Sequence, residues 1–228
     1  MRVFLFRLVL VATIFLLTVS AFGQDKPSDP WLLFAKGDRG SINTKTTRQD
    51  LVRLYGAKNV VDGDLELGEG ETESGTVLFP NDPERSIEIL WNDTKTKAEP
   101  SSLTIRGTRS LWKTLHDISL GTSLKQLEQF NGKPFHMSGY GWDYSGTVMS
   151  WDEGALAHDL GEFDRSGIEN GRIILRMTCS TPNAEPITKD ENNQIQGDRN
   201  FSSGHPVLQK MNPCVGEMVW IFPANTKN

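Results

Sequence analysis

The sequence has no apolar run beyond residue 22 that is long enough to cross a bilayer, which takes roughly 20 residues. It also has no stripe of lysine and arginine, and acids outnumber these bases by 29 to 24. Contacts to nucleic-acid phosphates and to anionic lipid surfaces both need clustered basic side chains. We therefore expect neither a nucleic-acid partner nor stable insertion of the mature chain in a membrane.

Recognisable catalytic motifs are absent as well. There is no glycine-rich phosphate loop, no Gly-x-Ser-x-Gly turn, no His-Glu-x-x-His pair and no paired Cys-x-x-Cys. These absences predict no catalytic residues, no metal site and no cofactor. The alternative is a secreted hydrolase or cation-dependent enzyme that uses the acidic stretch at 143–164, although a solvated acidic loop is the simpler interpretation. That stretch carries Asp143, Asp152, Glu153, His158, Asp159, Glu162 and Asp164.

Residues 1–23 have the pattern of a signal peptide. Arg2 and Arg7 form a short basic region before an apolar run at 8–22, and Ala21 and Gly23 are small residues at the positions a signal peptidase requires. We predict cleavage before Gln24 and a periplasmic or secreted protein; an uncleaved N-terminal anchor is the alternative. Cleavage removes two arginines and no acid, so the formal net charge moves from −5 to −7.

Only two cysteines are present, Cys179 and Cys214. In an oxidising compartment such a pair usually forms a disulfide, here closing a polar segment rich in proline, asparagine and serine. Two unpaired buried thiols are the alternative.

A short repeat divides the chain. The stretch at 42–56 matches the stretch at 118–132 at a constant offset of 76, with the same Ile, Thr, Leu and Gly positions. Each copy predicts a helix with Thr46 or Ser123 as its N-cap and a glycine at its C-terminal end, Gly56 or Gly132. Alternating apolar positions then predict strands at 74–79, 86–91, 172–179 and 215–222.

These patterns predict an α+β fold with two tandem units, each a helix packed on one face of an antiparallel sheet. The predicted divisions are a signal peptide at 1–23, a first unit at 24–110, and a second unit at 111–228 that includes the disulfide-closed loop. The arrangement over residues 40–155 resembles the β-lactamase inhibitor protein fold, and its single unit is similar to the outer-membrane assembly lipoproteins of the BamE (SmpA/OmlA) type. The chain departs from both groups because it lacks the lipoprotein cysteine and a disulfide within each unit. The stretch 120–135, followed by "GYGWDYSG", also resembles secreted bacterial proteins of no assigned activity.

The segment "HMSGYGWDYSGTV" at 136–148 places large side chains at alternate positions. On a strand, His136, Tyr140, Trp142 and Tyr144 would share one face, opposite a face of glycines. This face either packs beneath the helix at 122–131 or binds a ligand, and the cost of turning Asp143 inward favours packing for Trp142.

We therefore expect a non-enzymatic binding or interaction module with a protein partner in the cell envelope. The candidate binding residues are aromatic: Tyr140, Trp142, Tyr144 and Trp151.

Overall fold

The computed structural model describes residues 29–33, 41–68, 70–163 and 171–223. The predicted signal peptide and Asp164 lie outside these residues. Within them the chain forms five α-helices and eleven strands. The helices are α1 (Arg48–Tyr55), α2 (Leu124–Asn131), α3 (Ala155–Leu160), α4 (Lys189–Gln194) and α5 (Pro206–Met211). The strands are β1 (Val60–Gly68), β2 (Glu71–Leu78), β3 (Ile87–Asp93), β4 (Ala98–Arg106), β5 (His136–Ser138), β6 (Val148–Ser150), β7 (Arg172–Arg176), β8 (Cys179–Ser180), β9 (Asn200–Ser202), β10 (Pro213–Cys214) and β11 (Glu217–Ile221).

A six-stranded sheet dominates the structure, with the order β1-β2-β3-β4-β11-β7 and only antiparallel pairings. The last of the described strands, β11, lies between β4 and β7. Glu217 is thereby opposite Arg106 on one side and Arg176 on the other. The fold is α+β, as the sequence predicts. Two tandem units are not seen in the described residues, because strands from both predicted segments complete one sheet.

One face of this sheet, the inner face, carries the core. Ile89 and Leu103 are fully buried there, and Ile105, Met218 and Trp220 are almost so. The buried apolar residues of α1, α2, α3 and α5 belong to the same apolar cluster. Helices therefore cover the inner face, and alternation along the strands sends the remaining side chains to the opposite, outer face.

The repeat specifies how two of the helices begin. Thr47 and Asp50 form a capping box at α1, and Ser123 forms the same box at α2. The predicted cap Thr46 is wrong by one residue, whereas Ser123 is confirmed. Gly132 ends α2 in the left-handed conformation.

The backbone beside each cap is also alike. The carbonyl of Thr46 accepts from Glu99 N at 3.1 Å, and the carbonyl of Thr122 accepts from Val215 N at 2.9 Å. The two segments thus also share a backbone hydrogen bond just before the helix begins, from a residue of β4 in the first and from the residue that follows β10 in the second. The sheets that follow the two helices differ.

The predicted disulfide is confirmed. Cys179 and Cys214 are bonded with their Cα atoms 4.9 Å apart, and they pair β8 with β10. In the polar loop between them, Lys210 of α5 pairs with Glu191 of α4 at 2.8 Å. No helix in the described residues is long and apolar enough to cross a membrane.

Candidate functional site

The outer face of the six-stranded sheet forms the floor of a groove of about 590 Å³. The side chains of β3, β4, β11 and β7 that point away from the core line it. Among them, Leu90, Val219 and Ile174 are half-buried apolar residues. The end of the β1–β2 hairpin bounds one side, and the turn at 142–147 together with Phe163 bounds the other.

A row of alternating charges crosses this floor. Arg106 of β4 pairs with Glu88 of β3, and its Nε lies 2.7 Å from Glu217 Oε2 on β11. Arg176 of β7 pairs with the other oxygen of Glu217 at 3.1 Å. Both arginines therefore have carboxylate partners within the groove.

Two opposing effects act on Arg106. Burial lowers the pKa of its guanidinium, but the hydrogen bond and charge of Glu217, followed by those of Glu88, raise it more. The pKa of Arg106 thus lies above its ordinary value.

The hairpin side of the groove is formed by a leucine that lies over a glycine. Leu65 is only 6% exposed, and a Cβ added at Gly75 would meet its Cδ1 at 2.3 Å and the backbone oxygen of Ile89 at 2.7 Å. Gly75 thus allows Leu65 to lie against the sheet. Nearer the hairpin turn than Leu65, Glu66 and Glu71 also line the groove and are exposed. No described residue forms an ion pair with either carboxylate.

The opposite side is a tight turn with one unusual polar group. Thr147, which lines the groove, is 1% exposed, and its hydroxyl has no hydrogen-bond partner among the described residues. It lies beside Arg176 through an antiparallel bridge, and Nε of that arginine is also buried without a partner. Tyr144 stands at the rim with its ring edge-to-face against Phe163, with centroids 6.1 Å apart.

A buried hydroxyl without a hydrogen bond costs about 1–3 kcal/mol. Such groups are rare in native proteins and commonly mark a place where water or a ligand supplies the missing partner. Thr147 is therefore the residue of the groove that most directly indicates a ligand.

The aromatic stretch differs from the sequence prediction. The strand ends at Ser138, so residues 136–144 do not share a ladder. Gly139 passes so close to Gly197 that an added Cβ would lie 2.5 Å from its carbonyl oxygen, and Gly141 has a φ of +84°. These glycines serve a close approach and a turn rather than a bare strand face.

The four candidate binding residues therefore lie in different environments. Tyr140 is half-buried and donates to the Met177 carbonyl at 3.1 Å, and burial raises the pKa of its hydroxyl. Trp142 is 60% exposed, so the prediction that it packs in the core is wrong. Tyr144 is 61% exposed at the groove, whereas Trp151 is 2% exposed and belongs to the core. Of the four, only Tyr144 lines the groove.

The helix expected to cover that stretch, α2, has two buried apolar side chains and one that is partly exposed. Leu124 and Leu127 are buried, whereas Phe130 is 39% exposed. Its ring lies 6.4 Å from that of His116.

The acids at 143–163, which are the described part of the predicted acidic stretch, do not converge. Asp143 lines the groove, Asp152 pairs with His136 at 2.7 Å, and Asp159 lies between His116 and His158. The hydrogen bond from His116, and then that from His158, hold the pKa of Asp159 below its usual value. In the parts of the chain that the structure describes, no group of three or more His, Cys, Asp or Glu could hold a metal ion.

Sequence reasoning missed the charged row and Thr147. The alternation in "RIILR" and "EMVWI" does place charged residues on one strand face. It does not show that these two strands are neighbours, and so it did not identify a site.

No protein-family model, curated protein or solved structure matches this chain.

Proposed function

We propose that the protein is a non-enzymatic binding module of the cell envelope or the extracellular space, and that the groove on the outer sheet face is its binding site. The observation that carries the proposal is the buried, unpaired hydroxyl of Thr147 at a groove of about 590 Å³. Half-buried apolar side chains on the floor and an exposed tyrosine at the rim supply the contact area that protein-binding surfaces use.

The same proposal includes export. The signal-like residues 1–23 and the disulfide both favour an oxidising compartment outside the cytoplasm. The mass of the exported protein tests this part: cleavage after Gly23 supports it, and an N-terminus at Met1 contradicts it.

We also propose that the resemblance to those families holds for the segments in which the two helices begin, and for no other part of the chain. The capping box and the neighbouring backbone hydrogen bond that α1 and α2 share support it. No binding residue is carried over from those families.

A groove-filling substitution tests the binding proposal. Thr104 lies on β4 directly opposite Val219, in the middle of the floor, so Thr104→Trp fills the groove without changing its charge. Leu54→Trp adds the same side chain on α1, where Leu54 is 57% exposed and outside the groove.

Affinity capture from an envelope extract then compares three baits: wild type, Thr104→Trp and Leu54→Trp, each verified as folded by circular dichroism. We expect wild type and Leu54→Trp to retain a partner that Thr104→Trp loses. Retention of the same proteins by all three baits would contradict the proposal.

A further inference from the structure

The groove carries more negative than positive charge. Its lining includes five carboxylates against two guanidiniums, a formal net charge of −3. Arg106 and Arg176 already face Glu88 and Glu217, so the floor offers no free cation to an anionic ligand. The carboxylates of Glu66, Glu71 and Asp143 remain without an ion-pair partner among the described residues.

The hairpin strengthens this negative field. From Asp64 to Glu73 the sequence holds five acids and no lysine or arginine. An acidic wall attracts basic ligands and slows the approach of acidic ones.

The floor adds a requirement for apolar groups. Leu90, Val219 and Ile174 lie half-buried on three strands, and Leu67 on the hairpin wall is 48% exposed. A small hydrated cation would leave these surfaces uncovered, whereas an amphipathic ligand would cover them.

The size of the floor fits a stretch of polypeptide. Four strands spaced about 4.8 Å apart span roughly 14 Å, which an extended chain crosses with about four residues. A peptide also carries a carbonyl oxygen at every residue. Such an acceptor is what the unpaired Thr147 hydroxyl and Arg176 Nε lack.

We propose that the occupant of the groove is an extended segment of another protein that carries lysine or arginine beside apolar residues. Its basic side chain lies at Glu66 and Glu71, its apolar side chains lie on the floor, and a backbone carbonyl meets Thr147. This inference rests on the proposed function, because it assumes that the groove is the binding site.

The test uses a phage-displayed library of random peptides of roughly seven residues, long enough to span the floor. The library is selected on the wild-type protein after counter-selection on Thr104→Trp, so that only groove-dependent peptides remain. A selected peptide is then labelled with a fluorophore, and its Kd is measured by anisotropy. We expect the selected peptides to be enriched in lysine, arginine and apolar residues.

A matched pair of variants tests the charge. Glu66→Gln/Glu71→Gln removes two exposed carboxylates at the groove, and Glu153→Gln/Glu185→Gln removes two exposed carboxylates elsewhere. We expect the first pair to raise the Kd roughly five- to tenfold and the second to leave it unchanged. High salt should weaken binding to wild type more than binding to the first variant.

The outcomes separate the two proposals. The basic-peptide inference is overturned if the groove-dependent peptides are acidic or neutral, or if Glu66→Gln/Glu71→Gln leaves their Kd unchanged. The groove then remains the binding site. If counter-selection on Thr104→Trp removes every peptide that binds wild type, so that no groove-dependent peptide is recovered, both proposals are overturned.

Discussion

Thr147→Val should make the protein more stable and less able to bind. Valine has nearly the shape of threonine, so the substitution removes one polar atom and leaves the packing intact. Thr147 is 1% exposed and its hydroxyl has no partner among the described residues, so the native state contains a desolvated group worth about 1–3 kcal/mol. We expect the free energy of unfolding to rise by about 1 kcal/mol.

Thr76→Val is the matched control, because Thr76 is equally buried but fully paired. Its hydroxyl accepts from Trp91 Nε1 at 3.0 Å and donates to Asp62 Oδ1 at 2.9 Å. Valine there leaves a buried indole N–H without a partner, so the free energy of unfolding should fall by about 1–3 kcal/mol.

Urea unfolding followed by far-ultraviolet circular dichroism measures both variants against wild type. The same substitution is expected to change stability in opposite directions at the two positions. A Thr147→Val protein that is less stable than wild type by about 1 kcal/mol or more would show that its hydroxyl is bonded in the folded protein. The interpretation of Thr147 as a ligand contact would then be refuted.

Four further outcomes are expected. Trp142→Ala should change the free energy of unfolding by less than about 0.5 kcal/mol, whereas Trp151→Ala, at a core position, should lower it by about 3–5 kcal/mol in the same urea assay. Gly75→Ala should cost about 1–3 kcal/mol by overpacking, but Gly63→Ala, where an added Cβ meets nothing within 4 Å, should cost less than about 0.5 kcal/mol. Reduction of the disulfide should cost about 2–4 kcal/mol, measured with and without reductant. The hydrogen bond from a lysine on α5, and then one from a backbone amide, lower the pKa of Glu191 from 4.5 to about 2. Wild type should therefore be more stable than Glu191→Gln above about pH 4.5. It should lose this advantage as the pH falls to about 2.

The features that the sequence predicted correctly are local or have few alternatives. A capping box is formed by residues three positions apart, so Ser123 could be recognised from its neighbours. Alternation along β3 places Ile87 and Ile89 on one face whatever strand lies beside it. The disulfide could be predicted without knowing how far apart the cysteines lie, because the chain has only two of them.

The features that were missed depend on contacts between distant parts of the chain. Arg106 and Glu217 pair across 111 positions, because the final strand enters the sheet between β4 and β7. Alternation alone made residues 136–144 look like a strand. The close approach of Gly139 to Gly197 ends that strand, and nothing in the local pattern shows this approach.

Site-specific photo-crosslinking in the living host tests the central claim most directly. A benzoylphenylalanine in place of Tyr144, which is 61% exposed at the rim, faces the groove without filling its floor, and the same residue at position 54 points from the exposed side of α1. The account predicts a covalent adduct to a partner protein from position 144, with a basic, partly apolar segment as the crosslinked peptide, and none from position 54. No adduct from position 144, or the same adducts from both positions, would contradict it.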